Sequence, residues 1–319
     1  MGAKLYFVIG LLVLATAALF LLPNDGLTDG PPFANSHVAV IDGVMIHYRT
    51  WQPEESPLGA IVMVHGLGGS TFSWRHTVPA LISAGYAVVA LDLPGFGYSD
   101  RSRGIDHSQQ ARAEYVWQLL QSLESNLRLE PDMAWHLMGH SMGGGTITAM
   151  AQQHPQTTAS LLYAAGAVYN QPPRAATLLL RIPILDRIIA QIVQLFFITE
   201  RRITTMLESA YGRTPTADEV NGYLLPLQIS GTARSLLDIT TSQGPPVSSF
   251  LTQLHAPALL LWGEQDTWVP WDQGQRLAEE LPNALLVSHP DAAHCPMETH
   301  ADWFNQEILH FLAALPPNQ

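Results

Sequence analysis

A serine attacks a carbonyl carbon effectively only when a neutral imidazole takes its proton and a carboxylate holds that imidazole in one tautomer. One serine in this chain has the local setting for such a task. Gly139-His140-Ser141-Met142-Gly143 follows the apolar run Ala134–Met138 and opens a helical stretch toward His154. A Gly-x-Ser-x-Gly pattern between strand and helix predicts a very tight turn, in which a Cβ at Gly139 or Gly143 would strike the neighbouring strand or helix. Ser141 is then held strained and exposed. A glycine-rich packing turn, prolonged by Gly144 and Gly145, is the plainer alternative. His65-Gly66-Leu67-Gly68-Gly69, directly after Ala60–Val64, predicts a loop that aims a backbone amide at the same place. The amides of Leu67 and Met142 are the expected oxyanion donors, each worth about 3 to 4 kcal/mol to a tetrahedral intermediate. His140, His65 and Gly66 are expected to support the turn and the loop. His65, being upstream of Ser141, is the weaker candidate for a base.

The proton acceptor and its carboxylate have candidates downstream. Trp262-Gly263-Glu264-Gln265-Asp266 sits where the strand Leu259–Leu261 ends, and Asp266 is the expected acid. Glu264 is its nearest competitor, while Asp272 is expected to cap the following helix. Ser288-His289-Pro290-Asp291-Ala292-Ala293-His294 follows the strand Ala284–Val287 and makes His294 the expected base, with His289 the alternative. Cys295 has no turn motif around it and reads as packing.

These residues need elements that carry them to one place. Ala60–Val64, Ala87–Leu91, Ala134–Met138, Leu161–Ala165 and Ala258–Leu261 are short continuous apolar runs, the pattern of strands buried on both faces of a parallel sheet. Amphipathic helical stretches separate them, at about Ser108–Leu127, Met142–His154, Asp272–Leu281 and Ala301–Ala314. The alternation predicts an α/β domain. It breaks over 170–255, which read as helices and loops without a buried strand, an inserted cap or lid between core segments 37–169 and 256–319. Within the insertion Leu185, Ile188, Ile189, Ile192, Val193 and Phe196 recur at helical spacing, with Arg187, Gln191 and Gln194 opposite. This face is expected to pack on the main domain; alternatively Leu195, Phe197 and their neighbours line an acyl pocket or touch a bilayer. Trp268 and Trp271 are expected to border the same cavity.

The chain has 319 residues, 47% of them hydrophobic and 13% charged, with a net charge of −12. It is a folded protein with material for a large core. Its charge repels phosphate backbones, so nucleic acid is not an expected partner. The single cysteine excludes an intrachain disulfide and a cysteine-based zinc site. No cofactor or metal is expected. Leu5–Leu22 carries no charge, and as a helix would reach about 27 Å, just enough to span a membrane. Lys4 before the run and acidic residues after it orient the bulk of the chain to the exoplasmic or periplasmic side. The expected organisation is therefore a transmembrane anchor over 1–24 and a linker over 25–36. A cleaved signal peptide, ending near Ala15-Thr16-Ala17, is the alternative, and would leave a secreted protein.

From about His37 to the C-terminus the chain resembles the α/β-hydrolase superfamily, in the chain order Ser141, Asp266, His294. Asp92-Leu93-Pro94-Gly95-Phe96-Gly97-Tyr98-Ser99-Asp100 is similar to that superfamily's D-x-x-G-x-G-x-S loop. The resemblance implies an eight-stranded, mostly parallel sheet with flanking helices and a helical cap inserted after the sixth strand. Some relatives keep their acid after that strand, where this chain has Asn170 instead, which favours Asp266. Serine at the elbow implies acyl chemistry, and the anchored, lidded layout resembles the monoacylglycerol-lipase and carboxylesterase branches. The expectation is an esterase or lipase acting on a small apolar ester through an acyl-enzyme. The alternatives are a carbon–carbon bond hydrolase, an acyltransferase or perhydrolase on the same triad, and a catalytically weak ligand-binding receptor.

Overall fold

The apolar runs form one sheet in the computed structural model, which describes residues 30–130, 132–169, 183–242 and 244–315. The run Leu5–Leu22, the start of the linker, Asn170 and the side chain of Leu185 lie outside the described residues. In chain order the strands and helices are β1 (Ser36–Ile41), β2 (Val44–Trp51), β3 (Gly59–Val64), α1 (Val78–Ser83), β4 (Tyr86–Leu91), α2 (Gln109–Leu123), β5 (Trp135–His140), α3 (Met142–Gln153) and β6 (Thr158–Ala164). There follow α4 (Pro183–Phe196), α5 (Glu200–Tyr211), α6 (Ala217–Gln228), α7 (Thr232–Thr241), β7 (Ala258–Gly263), α8 (Trp271–Glu280), β8 (Ala284–His289), α9 (Pro296–Thr299) and α10 (Ala301–Ala314). Among the described residues no helix is long and apolar enough to cross a membrane.

The eight strands are ordered β1-β2-β4-β3-β5-β6-β7-β8. Strands β3 to β8 pair in parallel, and β2 runs antiparallel to both β1 and β4. Every residue of β3, β5 and β7 is buried, because helices cover both faces of a parallel sheet and alternate side chains feed two apolar layers. Ala60, Val62 and Val64 of β3 enter one layer with Trp117 and Trp262, whereas Ile61 and Met63 enter the other with Trp74 and Phe304. The hairpin β1–β2 carries no unbroken apolar run to mark it, because β1 is half exposed. Its turn is written in the chain all the same: Asp42 and Gly43 have φ of 50° and 79°, the left-handed pair that a tight hairpin demands.

Two expectations about helices are corrected. Asp272 does not cap α8: the helix begins at Trp271 with Pro270 at the capping position, and Asp272 lies inside the first turn. Its charge still complements the helix dipole there. The apolar stripe of α4 does not lie chiefly on the main domain. Helix α4 packs on α7, where Arg234 pairs with Asp186 at 3.1 Å, and Ile192, Leu195, Phe196 and Phe197 remain exposed.

The Asp92 loop after β4 is built around one buried carboxylate. Asp92 accepts hydrogen bonds from His47 Nδ1 at 2.7 Å, the Thr71 amide at 2.7 Å and the Tyr98 amide at 2.8 Å. Burial by itself would raise its pKa, but the His47 hydrogen bond and charge, with the amides, hold it below the ordinary carboxylate value. A depressed folded-state pKa contributes stability that is complete above the unfolded value of about 3.9 and is lost as pH falls through the lower folded value. Asp92→Asn is therefore expected to lower unfolding free energy at pH 7 by roughly 2 to 3 kcal/mol and to flatten its decline between about pH 4 and pH 2. Urea unfolding of both proteins across that range checks it; a parallel decline would show that Asp92 is not the titrating group.

Candidate active site

The carboxyl ends of β3, β5, β7 and β8 lie along one edge of the sheet, where open α/β sheets place their sites. Between β5 and α3, Ser141 has φ 49° and ψ −118°, a conformation that side-chain-bearing residues rarely adopt. Its backbone is pinned on both sides: the Ser141 amide donates to Ala164 O at 3.0 Å, and the amides of Gly144 and Ala167 donate to Ser141 O, each at 2.8 Å. A Cβ on Gly143 would come within 2.2 Å of Val64 O, and one on Gly139 within 2.5 Å of Gly143 O, so both flanks must be glycine. The Met142 amide belongs to the first turn of α3, whose N–H groups have no partner inside the helix. It therefore points out of the helix end beside Ser141, together with the favourable end of the helix dipole.

His294 Nδ1 donates to Asp266 Oδ2 at 2.8 Å, while Asp266 Oδ1 accepts from the amides of Trp268 at 2.8 Å and Val269 at 3.0 Å. All three bonds converge on one buried carboxylate. With the Nδ1 proton committed to Asp266, the lone pair of a neutral His294 is on Nε2. Two rings fix the plane of that imidazole. Trp268 stacks on it with centroids 5.5 Å apart and 15° between planes, held by its own indole N–H to Ser209 Oγ at 3.0 Å. His140 lies against it at 4.9 Å, tilted by 49°, and donates from Nε2 to the His294 carbonyl at 3.0 Å. Burial, then the neighbouring His294 charge, push the His140 pKa well below the ordinary imidazole value, so His140 stays a neutral donor.

His65 is fully buried and is no base. The Leu93 amide donates to its Nε2 at 3.0 Å, leaving the Nδ1 proton to bond Gly66 O at 2.7 Å. Both ring nitrogens are thereby consumed in shaping the loop that carries Gly66 and Leu67, and burial depresses its pKa. The competing residues are elsewhere. Glu264 is exposed and accepts from Ser288 Oγ at 2.8 Å, and His289 packs on His300 and Trp303. Cys295 is buried with its thiol pKa raised well above the ordinary value by burial, which removes the thiolate that a nucleophile would need.

Ser141, His294, Gly66, Leu67 and Met142 line one cavity of about 580 Å³. Its roof comes from the helices between β6 and β7, through Met206, Leu207 and Ala210 of α5 and Ile239 of α7. Trp268 borders it as expected; Trp271 instead packs against the core. Leu195 and Phe197 do not line it, and its apolar wall comes from α5 and α7 instead.

The roof is fastened to the core by a polar network that sequence patterns did not reveal. Buried Glu298, on α9 just beyond His294, accepts from Tyr211 of α5 at 2.7 Å and from Tyr223 of α6, and pairs with Arg75. Tyr223 also bonds Ser73 at 3.0 Å. Glu298→Ala leaves the buried Tyr211 hydroxyl without its acceptor, reduces Tyr223 to its Ser73 bond and Arg75 to Glu219 at 3.6 Å and the Phe72 carbonyl, and is expected to cost about 3 to 5 kcal/mol of unfolding free energy. Denaturant titration checks it, and a loss below 1 kcal/mol would refute the fastening role.

A strained serine between strand and helix, an amide-bearing loop after β3 and a His–Asp pair after β7 and β8, on this sheet order, define the α/β-hydrolase class. The chain belongs to the alpha/beta hydrolase family, whose profile matches residues 61–307. It is 29% identical over 276 residues to the uncharacterized hydrolase YugF of Bacillus subtilis, covering 85% of this chain and 96% of that protein. It is 29% identical over 265 residues to a 2-hydroxy-6-oxononadienedioate/2-hydroxy-6-oxononatrienedioate hydrolase of Klebsiella pneumoniae, covering 79% and 86%. Among solved structures, a probable hydrolytic enzyme from Pseudomonas aeruginosa PAO1 superposes with a TM-score of 0.73 at 23% identity, covering 89% of this chain and 96% of that one. The enol-lactonase of Burkholderia xenovorans LB400 gives 0.69 at 20% identity, covering 87% and 100%. These two share the fold.

Proposed function

We propose that this protein is a serine hydrolase that cleaves carboxylic esters of largely apolar substrates through an acyl-enzyme. One observation carries the reading: Ser141, strained at φ 49°, lines the same cavity as a His294 whose other nitrogen is bonded to Asp266. Ser141 Oγ attacks the ester carbonyl as its proton passes to His294 Nε2. The Leu67 and Met142 amides receive the oxyanion, and Asp266 stabilises the imidazolium. His294 then protonates the leaving alcohol, and a water activated by the same nitrogen releases the acid. Methionine, leucine, alanine and isoleucine side chains in the roof favour an apolar acyl or alcohol part.

Carbon–carbon bond hydrolysis is the second reading, favoured by the relatives named for 2-hydroxy-6-oxononadienedioate. It needs the same oxyanion donors, with a carbon leaving group that takes the proton. A fluorophosphonate probe followed by turnover of p-nitrophenyl esters from two to twelve carbons and of a vinylogous 1,5-diketone separates the readings. Labelling at Ser141 with ester turnover is expected; labelling with diketone cleavage alone would move the assignment to the second reading, and an unlabelled Ser141 would overturn both. The charge-free run Leu5–Leu22 adds a proposed placement, a tether or export signal that puts the catalytic domain on the exoplasmic side. Fractionation of cells expressing the full chain tests it, with the protein expected in the membrane or outside the cytoplasm.

A further inference from the structure

Among the described residues, the cavity is lined by one charge that the proposed mechanism leaves unused. Arg112, on the first turns of α2, lines it and is 3% exposed. Among the described residues no other charged side chain lines the cavity and no carboxylate lies within ion-pair distance of this guanidinium. Its Nε is buried with no hydrogen-bond partner among the described residues. Burial draws its pKa down to about 10, with Asp106 opposing from farther away, so it remains cationic at neutral pH. The His107 ring beside it, also on the cavity wall, stays neutral, its pKa lowered to about 4 by burial and by Arg112 itself.

Such an arginine is unfavourable in three ways at once. A guanidinium this buried and without a counter-ion has lost most of its hydration and has no ion pair in return. A cation near the N-terminus of a 15-residue helix also opposes the helix dipole. Finally, an apolar side chain would fill the same space at no electrostatic cost. An anion entering the cavity offsets the first two, because it meets the planar donors of the guanidinium beside the end of α2, where the Gln109 and Gln110 amides have no partner inside the helix while the Ala111 amide is already held by Ser108 Oγ at 3.2 Å.

We infer that Arg112 and the N-terminus of α2 form a carboxylate subsite, so that the preferred substrate carries a carboxylate at the end remote from the bond cleaved. This rests on the serine-hydrolase reading only for the location of the reacting end. The substrate class is then the half-esters, or comparable acyl compounds, of dicarboxylic acids: apolar in the middle and anionic at one terminus. Although the chain's net charge is −12, the one charge lining the cavity among the described residues is positive.

The test pairs mono-p-nitrophenyl esters of C4 to C8 dicarboxylic acids with the p-nitrophenyl esters of the corresponding monocarboxylic acids. At least one half-ester is expected to exceed its neutral partner by about tenfold or more in kcat/KM, with the difference in KM. Arg112→Met is expected to shrink that preference by about 10- to 100-fold, and Arg112→Lys to restore part of it. Calorimetry on Ser141→Ala protein with adipate, and separately with inorganic phosphate, reads binding without turnover. Adipate binding that Arg112→Met removes supports the subsite. Phosphate binding without adipate binding, or absence of both together with no half-ester preference, overturns it. Adipate binding in a protein that hydrolyses no ester leaves the subsite standing and removes the esterase reading instead. Melting temperature keeps the variant interpretable: relief of an unpaired buried charge should leave Arg112→Met as stable as the parent or more so, and a lower melting temperature would mean the guanidinium is a structural element, against the proposal.

Discussion

Ser141→Ala is expected to lower kcat for any ester this protein turns over by on the order of 10⁶-fold, leaving the fold unchanged. The size follows from the position rather than from the residue type. Ser141 holds its left-handed backbone through bonds made by its own amide and carbonyl, to Ala164, Gly144 and Ala167. Alanine keeps those bonds and the Cβ and loses only the oxygen, so the oxyanion amides and the His294–Asp266 pair stay in place with nothing to attack the carbonyl. What remains is the modest acceleration that binding and the oxyanion donors give to water. Burst kinetics with a p-nitrophenyl ester, alongside the melting temperature of both proteins, measure the effect. Retention of more than about a hundredth of the parent rate in a normally folded variant would place the nucleophile elsewhere.

Asp266→Asn is expected to cost about 10⁴-fold in kcat, although it removes no atom of the framework. Asp266 Oδ1 receives the Trp268 and Val269 amides, and this dictates how an asparagine must sit. Its amide oxygen has to occupy the Oδ1 position to accept those two donors, which turns the amide nitrogen toward His294 Nδ1. Two N–H groups cannot face each other, so His294 gives up its Nδ1 proton and carries one on Nε2, the nitrogen that must accept from Ser141. The imidazole is then in place and in the wrong tautomer. Asp266→Ala is expected to be less severe than a tautomer reversal alone suggests, because the Trp268 stack and the His140 bond to the His294 carbonyl still hold the ring. Rates for the three proteins over a range of pH check the order; equal rates for parent and Asp266→Asn would mean that Asp266 does not set the tautomer.

Legibility in the chain followed the length scale of the interaction. Strands β3 to β7 were readable within a residue or two or three because burial on both faces leaves unbroken apolar runs. The hairpin β1–β2 has one exposed side and was recoverable only from Asp42-Gly43. Asp266 and His294 stood out because each follows a strand end, and their competitors failed for a reason of direction: Glu264 is exposed beside Ser288, and His289 belongs to the last strand and turns onto His300 and Trp303. Trp268 as a stacking partner, Glu298 as the knot between roof and core, and Arg112 as a cavity charge gave no comparable signal. Each is a single residue whose meaning comes from partners up to 223 positions away, as in the bond of Arg75 to Glu298.

By itself the chain determined the strand runs, the turn that must bend sharply at Ser141, and the order in which nucleophile, acid and base would be met. Those are local matters: backbone preference, apolar patterning and glycine's freedom act over a few residues and leave marks in consecutive letters. Which histidine bonds Asp266 and borders the cavity, which helices roof it, and that an arginine on α2 ends there with no counter-ion among the described residues were decided by the tertiary structure. Direction, desolvation and pairing depend on which surfaces meet when the sheet is assembled, and residues brought together only at that stage carry no shared spacing along the chain.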